Sequence, residues 1–493
     1  MKKYLLALDE GTTSCRAVLF DSTDNMKMVK SVSEPLYADY KNGGWVEQNA
    51  NDIFLKQMLC VERLLVGSGF SADEVIAAGI TNQRESVVLW DKVTGFPVAP
   101  CINWQCRRTA DFCEKLKKDG KAELIKKKTG LVIDAYFSAS KIKWLLDNVD
   151  GARERAEKGE LLCGTIESYL LYRFTNGKKH VTDVTNASRT MLFNIHDMAW
   201  DDELLKLFDI PANILPTVVD NVGEFGSICV KGVEIPVTGM MGDQQSSLIG
   251  QACLEKGEVK CTYGTGAFIL ANIGDTPIIS EQPLVTTVAY KIGEKKAYAF
   301  EGSVFNAGSV LNWLKNIGLI PSAADSEKIA SECEDSGGVY LIPAFTGMGA
   351  PYWNMECRGA FFGLTRGTTA SQLVRAGIES VALRLGEVFK LMEKTLNEKL
   401  DCLNVDGGMS KNNLLLKIQA NIINGSVRRS TQSESTALGA AYLAGIGAGV
   451  IKSGAEIEKN HRFESVFLPD YKRDKTEELI KGYFGYVKKL LGE

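Results

Sequence analysis

The stretch YLLALDEGTTSCRAVLF, residues 4–20, sets an apolar run, the polar turn Asp9-Glu10-Gly11-Thr12-Thr13 and a second apolar run end to end. That pattern predicts a strand, a Gly/Thr turn and a returning strand. About 250 residues downstream it recurs. Val259-Lys260-Cys261-Thr262 and residues 268–273 read as strands that flank Tyr263-Gly264-Thr265-Gly266. Each turn offers backbone N–H groups and hydroxyls to an anion, and its glycine lets the backbone approach a ligand. One such turn alone is no more than a hairpin. Two of them predict two related halves, each opening with the same device.

Helical patterns alternate with short strand patterns along the whole chain, which gives an α/β architecture. The apolar run 235–241 leads into Gly242-Asp243, so the boundary is placed near residue 250, giving domains 1–250 and 251–493. Two further glycine sites stand out. Residues 403–412 (LNVDGGMSKN) predict a strand, a Gly-Gly turn and the start of a helix through 414–423. Residues 345–351 (FTGMGAP) predict a rigid loop, and 475–491 a last helix.

A chain of 493 residues exceeds one ordinary core. With 45% hydrophobic and 24% charged residues it has a globular composition. A net charge of -4 with scattered Lys and Arg gives no reason to expect nucleic acid or an anionic membrane as partner. No segment is apolar and long enough to span a bilayer. The apolar run after Met1-Lys2-Lys3 stops at Asp9, too soon for a signal-peptide core, so a cytoplasmic location is expected. Twelve scattered cysteines suit reduced thiols, and Cys101 and Cys106 lack the second Cys/His pair that zinc needs. There is no Walker loop, and no GxGxxG in a dinucleotide-binding context.

Polar residues gather at the ends of apolar strands. Residues 77–80 lead to Thr81-Asn82-Gln83-Arg84-Glu85 and return as 86–90; residues 237–241 lead to Gly242-Asp243-Gln244-Gln245. Ligands of open α/β sheets sit beyond such ends. Taken singly, Asp243 reads as a helix N-cap and Arg84-Glu85 as a solvated pair. Together they offer a base, a hydroxyl acceptor and a donor, which is what activating a polyol requires. Asp9, at the end of the first strand, reads either as an Asx-turn residue or as a carboxylate holding Mg²⁺ through water.

At these residues the sequence resembles the FGGY carbohydrate kinases of the actin/hexokinase/Hsp70 ATPase superfamily, and among them the glycerol kinases. The resemblance spans nearly the whole chain. It includes DEGTTSCRAV at 9–18, TNQRE at 81–85, NWQCRRTA at 103–110, DAYFSASKIKWLLDN at 134–148, VTDVTNASRTMLFNI at 181–195, GDQQSSLIGQ at 242–251, TYGTGAF at 262–268, PAFTGMGAPYW at 343–353, RGAFFGLTRG at 358–367 and DGGMSKNN at 406–413. It implies two RNase H-like, actin-like ATPase domains with the active site in the cleft between them. It implies ATP-dependent phosphorylation of glycerol to sn-glycerol 3-phosphate, by direct in-line transfer with Asp243 as general base and Mg²⁺ as the metal.

By the same resemblance the polyol pocket comprises Arg84, Glu85, Trp104, Tyr136, Asp243, Gln244 and Phe268. Without it, Trp104 and Phe268 read as core packing. The nucleotide site draws on Thr12, Thr13, Ser14 and Arg16 from the first turn and Thr265 and Gly266 from the second. Gly308 and Asn312 are expected near the ribose or base, with Gly408 and Asn412 from the Gly-Gly turn. The family carries Gln where Asn312 stands. The metal is expected at Asp9, through water, and at Asp243. A homodimer or homotetramer is implied. Two regulatory features of some relatives are not expected: residues 220–227 hold no histidine to phosphorylate, and Lys231-Gly232-Val233-Glu234 has an acid where a sugar bisphosphate would meet arginine.

Overall fold

The computed structural model describes residues 2–492 apart from 42, 68, 355, 433, 471 and 472. The opening stretch forms β1 (Tyr4–Glu10) and β2 (Ser14–Asp21), antiparallel, with Asp9 opposite Arg16. Four more strands complete the first sheet: β3 (Lys27–Pro35), β4 (Val75–Asn82), β5 (Ser227–Val230) and β6 (Val233–Gly242), in the order β5-β6-β4-β1-β2-β3. The second sheet is built from β7 (Val259–Tyr263), β8 (Ala267–Gly274), β9 (Val285–Ile292), β10 (Lys295–Val304), β11 (Cys402–Asp406), β12 (Ser426–Ser430) and β13 (Phe463–Phe467), in the order β9-β10-β8-β7-β11-β12-β13.

The two sheets have the same pairing sense. From β3 to β5, and again from β10 to β13, neighbours run antiparallel, antiparallel, parallel, parallel, antiparallel. β9 is an added edge strand. The repeated turn is therefore the visible part of a repeated RNase H-like unit, as in actin-like ATPases. β1 is buried on both faces, which explains its unbroken apolar run. On one face α1 (Ala50–Leu65), capped by Asn49, packs Cys60, Val61 and Leu64 into the core of the first sheet. The second sheet is covered by α4 (Ala370–Leu396), which the Thr369/Gln372 capping box starts.

The structure departs from the sequence reading in three places. Residues 86–90 do not return beside β4; Val88–Asp91 pairs with Leu161–Gly164 instead. The cause is local: Ser86 N–H donates to Arg84 C=O (2.8 Å), so Glu85 is the centre of a γ-turn, at φ 63, and the chain leaves the sheet. The Gly-Gly turn runs first into a 3₁₀ turn, Gly408–Lys411, and α5 (Asn413–Ile423) starts only behind it. Third, the second half is not self-contained. Helix α6 (Ser435–Gly447) lies on the first sheet, with Thr238 Oγ1 donating to Ala444 C=O (2.9 Å) and Ser246 Oγ to Thr436 C=O (2.7 Å). The helix sits so close that a Cβ on Gly79 of β4 would stand 2.1 Å from the Ala440 oxygen.

The β5–β6 connection is a two-residue turn, Lys231 (φ 48) and Gly232 (φ 84), the pattern of a tight type I′ hairpin. All twelve cysteines are unpaired. No helix among the described residues is long and apolar enough to cross a membrane.

Candidate active site

Arg84 and Glu85 follow the end of β4, and Asp243 follows the end of the parallel neighbour β6. Asp243 is the first residue of α2 (Asp243–Gly250), whose N-cap is Gly242 and not Asp243. The carboxylate therefore does no capping. Its oxygens accept from Gln244 N–H (2.7 Å) and Gln244 Nε2 (3.1 Å), and its side chain is 29% exposed. Arg84 and Glu85 are each 2% exposed, so they are no solvated pair. Arg84 Nε stands 3.0 Å from Asp243 Oδ1 without the alignment of a hydrogen bond. Thus donor, acceptor and base meet at one strand-end position, with the base at its open side.

Aromatic rings stand beside these groups. Trp104 makes edge contacts with Tyr136 (ring centroids 5.6 Å) and Phe268 (6.4 Å). Trp104 and Phe268 are partly exposed, not core residues. Trp104 Nε1 donates to Thr12 Oγ1 (2.9 Å), which ties the aromatic cluster to the first Gly/Thr turn. The segment 134–141 holds Tyr136 in place. Asp134 accepts from Tyr136 N–H (2.8 Å) and pairs with Arg107; Lys141 Nζ donates to Tyr136 C=O (2.5 Å); Ser138 Oγ donates to Glu85 C=O (3.1 Å). Burial brings Lys141 down to about 8.

Behind this first layer lies a set of buried charges that sequence reasoning missed. Arg84 binds Glu301 through Nη1 (2.6 Å) and Nη2 (3.2 Å). Arg189 joins Glu301 (Nη2, 2.8 Å) to Glu85 (Nε, 2.5 Å). Lys260 Nζ donates to Gln244 Oε1 (2.6 Å). A signal was present for each: Glu301 is the one charge in the buried stretch 297–304 of β10, Lys260 is the one charge in β7, and Arg189 belongs to the quoted segment 181–195. Burial pushes Glu301 up, but Arg189 and Arg84 outweigh it and hold the carboxyl at about 2. Glu85 is raised, by burial first and then by Glu301 against the pull of both arginines.

The glycine elements expected at a nucleotide converge from distant sequence. The start of α3 (Gly308–Asn316) is bonded to the second turn, with Gly308 N–H on Gly264 C=O (3.0 Å) and Ser309 N–H on Thr265 C=O (3.1 Å). Gly407 (φ 86) lies against Tyr263, where a Cβ would be 2.5 Å from the carbonyl oxygen. Thr13, Gly264, Thr265, Gly408 and Asn312 are exposed, while Gly266 is buried; Thr12 and Ser14 are half-buried. Asn312 lies one turn beyond Gly308 on the same helix.

Two expected nucleotide contacts are otherwise engaged. Arg16 is held between Asp9 and Glu434, which closes the first half onto the stretch leading into α6. Asn412 caps α5 by accepting from Leu415 N–H (2.9 Å), and its Nδ2 faces Ser326 Oγ (3.3 Å). Burial raises Asp9, with Arg16 opposing. Among the described residues, no group of three or more His, Cys, Asp or Glu is placed to hold a metal. One or two carboxylates with water suit Mg²⁺.

A duplicated actin-like ATPase fold, with strand-end acids and bases set beside Gly/Thr turns, defines a two-lobed small-molecule kinase. Residues 4–250 match the N-terminal domain, and residues 259–448 the C-terminal domain, of the FGGY family of carbohydrate kinases. The chain belongs to that family. It is 49% identical to the glycerol kinase of Clostridium beijerinckii, over 100% of this chain and 99% of that protein. It is 47% identical to the glycerol kinase of Pseudothermotoga lettingae, over 100% of this chain and 99% of that protein. The crystal structure of Plasmodium falciparum glycerol kinase with ADP superposes with a TM-score of 0.92 at 33% identity, covering 99% of this chain and 98% of that one. A ligand-bound xylulose kinase from Lactobacillus acidophilus has the same fold, with a TM-score of 0.88 at 24% identity, covering 99% of this chain and 98% of that one.

Proposed function

We propose that the protein transfers the γ-phosphoryl group of ATP to a terminal hydroxyl of glycerol, giving sn-glycerol 3-phosphate and ADP. The meeting of Arg84, Glu85 and Asp243 at adjacent strand ends carries this reading. Arg84 and Glu85 serve hydroxyl oxygens and protons, Gln244 adds an amide, and Trp104, Tyr136 and Phe268 cover the carbon chain.

Asp243 takes the proton of the attacking hydroxyl as that oxygen bonds to the γ-phosphorus. The bond from phosphorus to the β-phosphate oxygen breaks on the opposite side, and the electron pair leaves with ADP. No phosphoenzyme forms. Phosphoryl transfer rests chiefly on positioning and charge. Backbone N–H groups and hydroxyls of Thr12, Thr13, Ser14, Thr265 and Gly266 take the phosphates, while Gly308, Asn312 and Gly408 line the nucleoside side. Where Mg²⁺ accompanies ATP, Asp9, through water, and Asp243 are the acids that would hold it. Bound there, Mg²⁺ neutralises phosphate charge.

A panel of glycerol, dihydroxyacetone, erythritol and xylulose, assayed by ADP release, tests the reading. Glycerol is expected to have the highest kcat/KM. Preference for xylulose, or ADP release indifferent to every polyol, would overturn it.

A further inference from the structure

We propose that Glu301 and Arg189 are positioning residues which aim Arg84 and Glu85 at the polyol, so that affinity for the substrate is set partly from the opposite half of the molecule. This rests on Arg84 and Glu85 forming the polyol pocket.

Glu301 lies in β10, on the second sheet, and is 1% exposed; Arg189 is fully buried. The four side chains form a line, Glu85–Arg189–Glu301–Arg84, of two positive and two negative charges. Each charge buried alone would be costly, so each is held where its partner holds it. Glu301 occupies both terminal nitrogens of Arg84, and Gln245 Oε1 takes a second bond from Nη1 (3.1 Å). Only Nε is left to face the Asp243 side. Arg189 likewise occupies Glu85 Oε1 and leaves Oε2 for a hydroxyl. The γ-turn puts Glu85 in a backbone region that a non-glycine residue seldom adopts, and it stays there because its surroundings fix it. Arg189 also stacks near Tyr136 (5.7 Å) and Phe137 (5.2 Å), so the same guanidinium backs the aromatic wall. Held at about 2, Glu301 stays charged over the working pH range.

The test compares Glu301→Gln, Glu301→Asp and Glu85→Gln with the unaltered protein, measuring KM for glycerol and for ATP, kcat, and melting temperature. Glu301→Gln keeps the shape but loses a charge-assisted pair. Its glycerol KM is expected to rise roughly 10–100-fold, the effect of one hydrogen bond to a charged group, with ATP KM within about twofold. Glu301→Asp keeps the charge and so covers the case in which the Gln variant fails to fold; it draws Arg84 back and raises glycerol KM in the same selective way. A glycerol KM unchanged in both variants, or glycerol and ATP KM rising in parallel, overturns the proposal. If Glu85→Gln also leaves glycerol KM unchanged, the pocket assignment itself fails. If Glu85→Gln raises it and the Glu301 variants do not, only the positioning role fails.

Discussion

The polyol side and the nucleotide side proposed for this protein are built on opposite principles. Around Arg84 and Glu85 the work is assigned to buried charged side chains, each paired with another, drawn from the end of β4, from β10 and from the segment near Arg189. Around Gly264–Gly266, Gly308 and Gly407–Gly408 it is assigned to backbone, exposed at Gly264, Thr265 and Gly408 and held in place by backbone hydrogen bonds and close glycine contacts. Side-chain pairing in a dry pocket discriminates between hydroxyl patterns. Backbone N–H groups bind phosphate of any nucleoside triphosphate and discriminate little. Specificity should therefore fail first on one side, and nucleotide affinity on the other.

The substrate itself breaks the comparison most severely. 1,3-Propanediol lacks the middle hydroxyl and leaves buried acceptors and donors unpaired. Its kcat/KM is expected to fall by roughly 10⁴ against glycerol, as in sites built around hydrogen-bonded hydroxyls. A swap of ATP for GTP on the other side should cost far less. Measuring both ratios on one preparation checks the asymmetry, and a propanediol penalty near tenfold would remove the paired-charge account of the pocket.

In the proposed reaction Asp243 serves both sides. Asp243→Asn keeps its size and one acceptor but cannot take the proton. Its kcat is expected to drop by roughly 10²–10⁴, with smaller changes in either KM. Single-turnover rates with saturating glycerol and ATP separate this from slow release of product. Near-normal turnover would take the base role away from Asp243.

The same contrast explains what could be read from the chain. The nucleotide side was legible because its parts are local patterns: a Gly/Thr turn, its repeat, and the Gly-Gly turn at 407–408. The duplicated sheet followed from them. From local pattern alone the polyol side was legible at strand ends, where Arg84, Glu85 and Asp243 break apolar runs; Trp104, Tyr136 and Phe268 came only with the family resemblance. Glu301, Arg189 and Lys260 owe their roles to partners 217, 104 and 16 residues away, and no local pattern encodes such pairs. The seat of helix α6 on the first sheet is unencoded for the same reason: it depends on Gly79 and Ser246 lying beneath Ala440 and Gly439, far away in sequence.

The smallest effect is the sharpest probe of the backbone side. Gly407 and Gly408 are neighbours with opposite constraints. Gly407 has φ 86 and a Cβ there would meet the Tyr263 carbonyl at 2.5 Å, so Gly407→Ala strains the fold itself. It is expected to lose about 2 kcal/mol of stability, whatever is bound. Gly408 has no positive φ, and a Cβ there meets nothing within 4 Å. Gly408→Ala should leave stability within about 0.5 kcal/mol. Its methyl group would point into the space assigned to the nucleotide, raising KM for ATP by about tenfold, near 1.4 kcal/mol, while KM for glycerol stays put. Urea unfolding and the two KM values read this out together. An ATP KM unchanged in Gly408→Ala would move the nucleotide off this turn, and a glycerol KM rising with it would mean that the two sides are not as separate as their construction implies.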